Sequence, residues 1–600
     1  MNWLNNILSL KTDKNNSKHL VIIIWFLCTS TIFGQYQFEV PTNLRTKRNP
    51  PITQLDTQIN VHVSDYGAIP NDGNDDTPGI QKALDFCKKT ANNTKAIKLI
   101  FGKGVYNLHT NANKTHLINL KKANNILIEG NDAKIIIHDP LKGFFSLFNS
   151  KNIIVKNLYI DYDPLPFTQG RIVGVHLKNR TFDLKIDHGF PSLKHKMFQK
   201  ASRVWGMLMD EKTPGKLKDG APNLYQSKQF EELSGGIFRI TVKSQKLLKH
   251  MEINDSYVHI ARTNGRTIFK TDRSKDVTYL NITSYSSPAG TYNAGNMKEW
   301  SIIGCKVKLK KGRIHSANAD CLHIKGSSIG PWVENCLFEG YSDDAVNLKS
   351  SKRYILNQVS PTEIVLNKKV KKGSILRIYN PREGILIGKF KVIRSQKIGK
   401  EKVKITLNNA LKATLDVGAT KKHDIAYLDS ESNESFVIRN NVFKNARRYG
   451  ILLQSSNGVI ENNIFENLSQ SAITINNGVD WGEGFVAHNI TIHSNTFSNC
   501  GYDSVYLSNP NAAAITLRVV KLKNLKGKGK WYGVTTTDWK GLNNISITNN
   551  SFSYNKHALS IECSINTVIK SNTFNRNPND LSVESNIIYK NNNSNLVFEN

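Results

Sequence analysis

One phrase, written five times, limits what this chain can fold into: "FVIRNNVF" (436–443), "GVIENNIF" (458–465), "ITIHSNTF" (490–497), "ISITNNSF" (545–552) and "TVIKSNTF" (567–574). Each is a short apolar alternation, then Asn, then an aromatic. The closing Phe residues fall at 443, 465, 497, 552 and 574, so two intervals are 22 residues and the others leave room for a longer loop. Self-similarity at such a period marks a solenoid. Alternation within the phrase is a strand signal, because period 2 places every other side chain on one face. Asn at a constant offset suits a left-handed turn and, stacked on its neighbours, a side-chain amide ladder. The expected architecture is an all-β parallel β-helix whose coils stack at about 4.8 Å around an apolar column.

Earlier segments fit the phrase less regularly: "NNILIEGNDAKIIIHD" (124–139), "SKNIIVKNLYIDYD" (150–163) and "SKDVTYLNITSYSS" (274–287). The helix is expected to begin near residue 61. There Ile80, Ala83, Leu84 and Cys87 recur at a 3.6 period and predict a short amphipathic helix capping the open end. Two stretches lose the phrase and carry strands such as "GRIVGVHL", "TEIVLNK" and "KVKITL" between polar turns; both read as antiparallel β insertions, barrel-like or sandwich-like. The expected division is a signal peptide (1–34), a linker (35–60), an N-terminal β-helix part (61–161), an insertion (162–255), central rungs (256–350), a strongly basic insertion (351–427) and a C-terminal β-helix part (428–600). The leader pairs a Lys- and Asn-containing start with the apolar "LVIIIWFLCTSTIFG", short of the ~20 residues that span a bilayer, and predicts export to the periplasm or beyond rather than a membrane span.

Six cysteines outside that leader are too sparse for a disulfide scaffold, and no Cys/His spacing fits zinc; neither a metal nor a cofactor is expected. Lys+Arg total 81 against Asp+Glu 48, a net charge of +33. Such a field attracts polyanions. Without a recognisable nucleic-acid module, an exported chain meets an acidic polysaccharide more naturally than nucleic acid, and the basic second insertion is the expected contributor.

The rung spacing also aligns acids. "DCLHIKGS" (320–327) set over "DAVNLKSS" (344–351) pairs Asp320 with Asp344, Leu322 with Val346, His323 with Asn347, Ile324 with Leu348 and Lys325 with Lys349, at an offset of 24 residues. With the aliphatic residues inward, His323, Lys325, Asn347 and Lys349 line the outside, and Asp343 joins Asp320 and Asp344 in one patch. The next rung, "RRYGILLQSS", brings Arg448 beneath Asp343, where a cation can hold a hydroxyl or lower an acid's pKa. On "VDWGEG", Trp481 offers a face for sugar stacking and Glu483 a carboxylate for hydroxyls. Three clustered carboxylates repel, so one is expected to hold a proton beside ionised partners, which glycosidic hydrolysis requires. Turn ladders or a calcium site are the structural alternatives.

"NADCLHIKGSSIGPWVENCLFEGYSDDAVNLKS" (318–350), with "RRYGILLQSSNGVIENNIF" and "WGEGFVAHNITIHSNTF", resembles glycoside hydrolase family 110 within the pectin-lyase-like right-handed β-helix superfamily. The resemblance implies an exo-acting, inverting α-1,3-galactosidase without metal or cofactor. In that scheme Asp343 is the general acid, and Asp320 and Asp344 activate water. Polygalacturonases share the fold, but their "GHG" and "RIK" strings do not occur here. The charge adds a sulfated galactan as a candidate substrate. A polysaccharide lyase using Lys325, Lys349 or His323 as base, and a non-catalytic binding β-helix, are the competing readings. A dimer is compatible with such a solenoid, and no interface is legible.

Overall fold

The computed structural model describes residues 37–109, 114–509, 512–526, 532–575, 587–589 and 592–599; the expected leader lies outside the described residues. From Thr57 onward the chain winds into a parallel β-helix. An 11-stranded parallel sheet runs along it and carries the site, and a 22-stranded parallel network forms its other faces. The repeated phrase works through its side chains. Phe443, Phe465, Phe497, Phe552 and Phe574 occupy paired positions on successive rungs. Their rings stack with centroids 4.7–5.3 Å apart.

The adjacent polar positions divide the labour. The first of each pair, such as Asn440, Asn462 and Asn549, takes positive φ at the bend, a role Ser494 and Ser571 fill in the other two phrases. The second, Asn441, Asn463, Asn495, Asn550 or Asn572, faces inward. There Asn463, Asn495, Asn550 and Asn572 each accept the Nδ2–H of the Asn on the preceding rung at 2.9–3.0 Å. Buried amides must find partners, and the ladder supplies one per rung. At the N-terminal end the helix Thr77–Thr90 covers the stack, burying Ile80, Ala83, Leu84 and Cys87.

Both antiparallel insertions are present, and neither disturbs the winding. Phe145 before the first pairs with Phe269 after it, and Val346 before the second pairs with Ile451 after it. The first is a seven-stranded sheet and the second a closed six-stranded barrel, Arg353–Leu428. The first sheet includes the strand Ser256–Arg262, which pairs antiparallel with Arg203–Met209 and so lies past the expected boundary at 255. The alternation of "SYVHIAR" suits a rung as well as a ladder, and only its partner decides. Residues expected as a linker also pack. Phe38, Val40 and Leu44 lie against Trp332, Val437 and Val459, while the Arg48 guanidinium donates to the Gly330, Pro331 and Ser435 carbonyls.

Candidate active site

The aligned rungs pair as Leu322 with Val346, His323 with Asn347, Ile324 with Leu348 and Lys325 with Lys349. The four aliphatic side chains are fully buried in the column. At the mouth of these two strands Asp320, Asp343 and Asp344 converge, with an oxygen of each within 4.8 Å of the others, and all three are buried. Asp320 accepts the Asp344 backbone N–H at 3.1 Å and binds the His323 ring through its other oxygen. Asp344 accepts from Asn347 Nδ2 at 2.9 Å; among the described residues its second oxygen takes no hydrogen bond and faces Arg448 Nε at 3.5 Å. His323 and Asn347, expected to meet substrate, therefore orient the acids.

The acids differ electrically although they are neighbours. Asp343 is gripped by Arg448 and Arg262. Burial works against its charge, but these guanidinium groups and Arg447 outweigh it and hold Asp343 well below the usual carboxylate range. Asp344 is pushed well above that range, first by burial and then by Asp343 and Asp320; Arg448, with Nε 3.5 Å away, opposes the shift without cancelling it. The site thus favours the proton on one carboxyl and the charge on its neighbour, with Arg448 Nε beside the Asp344 oxygen that takes no hydrogen bond. The resemblance gave the acid role to Asp343; the charges of the free site favour Asp344.

A second group forms along the outer face. Lys349 pairs with Glu483, and Lys325 stands one rung away. Lys352 donates to the Trp481 carbonyl at 2.6 Å and is pushed down to about 8 by burial and by Lys325, Lys421 and Lys349, against the pull of Glu483. Trp481 is 42% exposed, with the Lys421 ammonium 4.9 Å from its ring centre. The second insertion supplies Lys421, which places one of its cations over the Trp481 ring.

Sequence reading missed the opposite wall. Arg262 ends the last strand of the first sheet, 81 residues before the Asp343 it holds. Arg447 donates to the Ser342 and Asn223 carbonyls and lies 4.7 Å from the Trp205 ring centre. The doublet "RR" one rung below the doublet "DD" was a usable signal for Arg447. None pointed to Arg262, because nothing local says that its sheet folds back over the rungs. Asn318 makes that docking, donating to the Pro166 and Ala261 carbonyls at 2.8 and 3.2 Å.

Residues 424–600 match a family model described as a right handed beta helix region. The chain is 24% identical to α-1,3-galactosidase B of Bacteroides thetaiotaomicron, over 74% of this chain and 76% of that one. It is 23% identical to α-1,3-galactosidase A of Shewanella woodyi, over 75% and 77%. It is 22% identical to α-1,3-galactosidase B of Akkermansia muciniphila, over 73% of this chain and 58% of the relative. Among solved structures, an exopolygalacturonase from Thermotoga maritima superimposes with a TM-score of 0.39 at 11% identity, covering 91% and 93% of the two chains.

Proposed function

From the likeness to α-1,3-galactosidases over about three quarters of the chain and to the right handed beta helix model over residues 424–600, we propose a family 110 glycoside hydrolase, an exo-acting α-1,3-galactosidase. It removes terminal α-1,3-linked galactose from oligo- or polysaccharides with inversion, is exported, and takes sulfated galactan fragments among its substrates. The observation that carries the hydrolase reading is the convergence of the acid trio: Asp344, whose buried surroundings favour its proton, beside an arginine-held Asp343 and a His323-bound Asp320. The protonated member gives its proton to the glycosidic oxygen as the bond breaks, and an ionised member takes one from the attacking water, the division of labour that glycosidic hydrolysis needs. Inversion rests on the family resemblance rather than on spacing, since inverting carboxyl groups usually stand about 6.5–9.5 Å apart. Export rests on the leader, and cell fractionation tests it.

Proton NMR of the purified protein with α-1,3-galactobiose tests the rest. The expected first product is β-galactose, absent with Asp344→Asn. First appearance of the α-anomer overturns inversion, and release of internal fragments overturns exo action. Lys325, depressed by burial and by Lys349, supports one other reading, a lyase with an amine base. Ultraviolet absorbance from an unsaturated uronate, with no galactose released, would replace the hydrolase with that lyase.

A further inference from the structure

A cavity of about 370 Å³ opens beside Asp343, between the first antiparallel sheet and the rungs. Arg203, Lys228, Lys243, Arg262, Arg447 and Arg448 line it against that one carboxylate. Asp343 takes up Arg262 and Arg448, and Arg447 is spent on backbone carbonyls and the Trp205 ring. The other three have no ion-pair partner among the described residues. Lys228 donates to the Ala201 carbonyl at 3.0 Å and Lys243 to Gln226 Oε1 at 2.8 Å, both neutral acceptors. Arg203 stands directly opposite Arg262 in the antiparallel ladder. Like charges facing each other across strands destabilise the pair, and each added cation raises the cost of the rest. Arg203 registers this as a lowered pKa, through burial first and Arg262 next. Neutral galactose does not require such a cluster, since amides and carboxylates hold hydroxyls equally well. An oxyanion does, because charge-assisted hydrogen bonds to guanidinium and ammonium groups are about twice as strong as neutral ones.

We propose that this cavity is the subsite for an oxyanion carried on the substrate, a sulfate ester or a uronate carboxylate, with Arg203, Lys228 and Lys243 as its ligands. The inference rests on the saccharide reading above and gives the molecule's charge a definite place of action. The oxyanion bridges Arg203 and the two lysines, and a sugar joined to it then lies against Asp343.

Calorimetric titration of the full chain carrying Asp344→Asn tests the assignment with three ligands: α-1,3-galactobiose, the same disaccharide bearing one sulfate ester, and α-linked digalacturonate. An anionic ligand is expected to bind about 10-fold tighter than the neutral one at low salt. The tighter of the two anions identifies the ester or the carboxylate as the natural group. Adding Arg203→Ala with Lys243→Gln closes that gap, whereas Arg203→Lys keeps most of it and guards against misfolding of the double variant. Equal affinities for all three ligands, or a gap that survives Arg203→Ala with Lys243→Gln, would overturn the proposal. Its failure is separable from that of the galactosidase reading. A wild-type chain that shows the gap but hydrolyses no galactoside loses the activity and keeps the subsite; one that hydrolyses galactobiose with no gap does the reverse.

Discussion

Asp343 and Asp344 share a backbone and almost nothing else, and the contrast sets two expectations. If Asp344 carries the catalytic proton, Asp344→Asn loses about 10²–10⁴ in kcat on a disaccharide. It loses far less on a nitrophenyl α-galactoside, whose leaving group needs no proton. Asp343→Asn then fails on both. Rescue of Asp343→Asn instead would return the donor role to Asp343 and require Arg448 or Arg262 to release it when substrate binds. Stability follows the same charges. The depressed pKa of Asp343 makes its contribution present above the unfolded carboxylate value, near pH 4, and lost as pH falls further. Asp344 runs the other way: its contribution is present below that value and lost as pH climbs through its raised pKa. Asp343→Asn therefore costs roughly 3–5 kcal/mol at pH 7 in denaturant melts, by leaving the Arg262 guanidinium without its acid and Arg448 with Asp344 alone. Asp344→Asn gains on wild type as pH rises, and a pH-independent difference between the two would contradict the shift. The trio was legible because a 24-residue offset superimposes Asp320 on Asp344 and Asp343 is the next residue in the chain; Arg203 and Arg262 were not, because their register belongs to another sheet.

At the scale of the rung, the repeated phrase encodes two ladders, and each answers to a different substitution. Phe465 lies between Phe443 and Phe497 at 4.7 and 5.0 Å, so Phe465→Ala opens a cavity in the stack and should cost about 3–5 kcal/mol. Asn463 accepts from Asn441 and donates to Asn495 and to the Ile438 carbonyl. Asn463→Ala removes the acceptor of the Asn441 backbone N–H and Nδ2–H and one donor to Asn495, and should cost about 1–3 kcal/mol, read by the same melts, while Asn462→Gly at the positive-φ bend is nearly neutral. A large loss at Asn462 and none at Asn463 would reverse the assigned roles. The phrase made strand, turn and ladder readable, since each depends on residues within a few positions. Which Asn turns and which ladders was not, because the two are adjacent and only the direction of the side chain separates them. The strand Ser256–Arg262 escaped for a related reason: alternation specifies a strand and is silent on whether its neighbour runs parallel or antiparallel.

Across the whole molecule, +33 is a quantity the composition states and cannot locate. The sequence pointed to the second insertion, whose Lys421 does lie over Trp481. The cavity's unpaired cations come from the first, and Lys325, Lys349 and Lys352 cluster on the rungs and just beyond them around Glu483. Positive charge therefore gathers in two places, in the cavity beside Asp343 and around Glu483 at the other end of the rung strands, and that arrangement has a kinetic signature distinct from net charge alone. Long-range attraction raises the encounter rate of any polyanion by about 10–10³ and is screened beyond roughly 10 Å at 0.1 M salt. A sulfated galactan should lose kcat/KM steeply between low and moderate salt, whereas neutral α-1,3-galactobiose should barely respond. Adding Arg203→Ala separates the two scales, because one charge in 33 scarcely changes the far field yet removes a ligand in the cavity. The salt slope on the sulfated substrate should then stay close to that of wild type while kcat/KM drops several-fold at every salt concentration. If slope and level fell together, recognition would lie in the diffuse field and not in the cavity. If neither moved, the excess charge would serve solubility or surface attachment, and the basic walls would have no part in choosing the substrate.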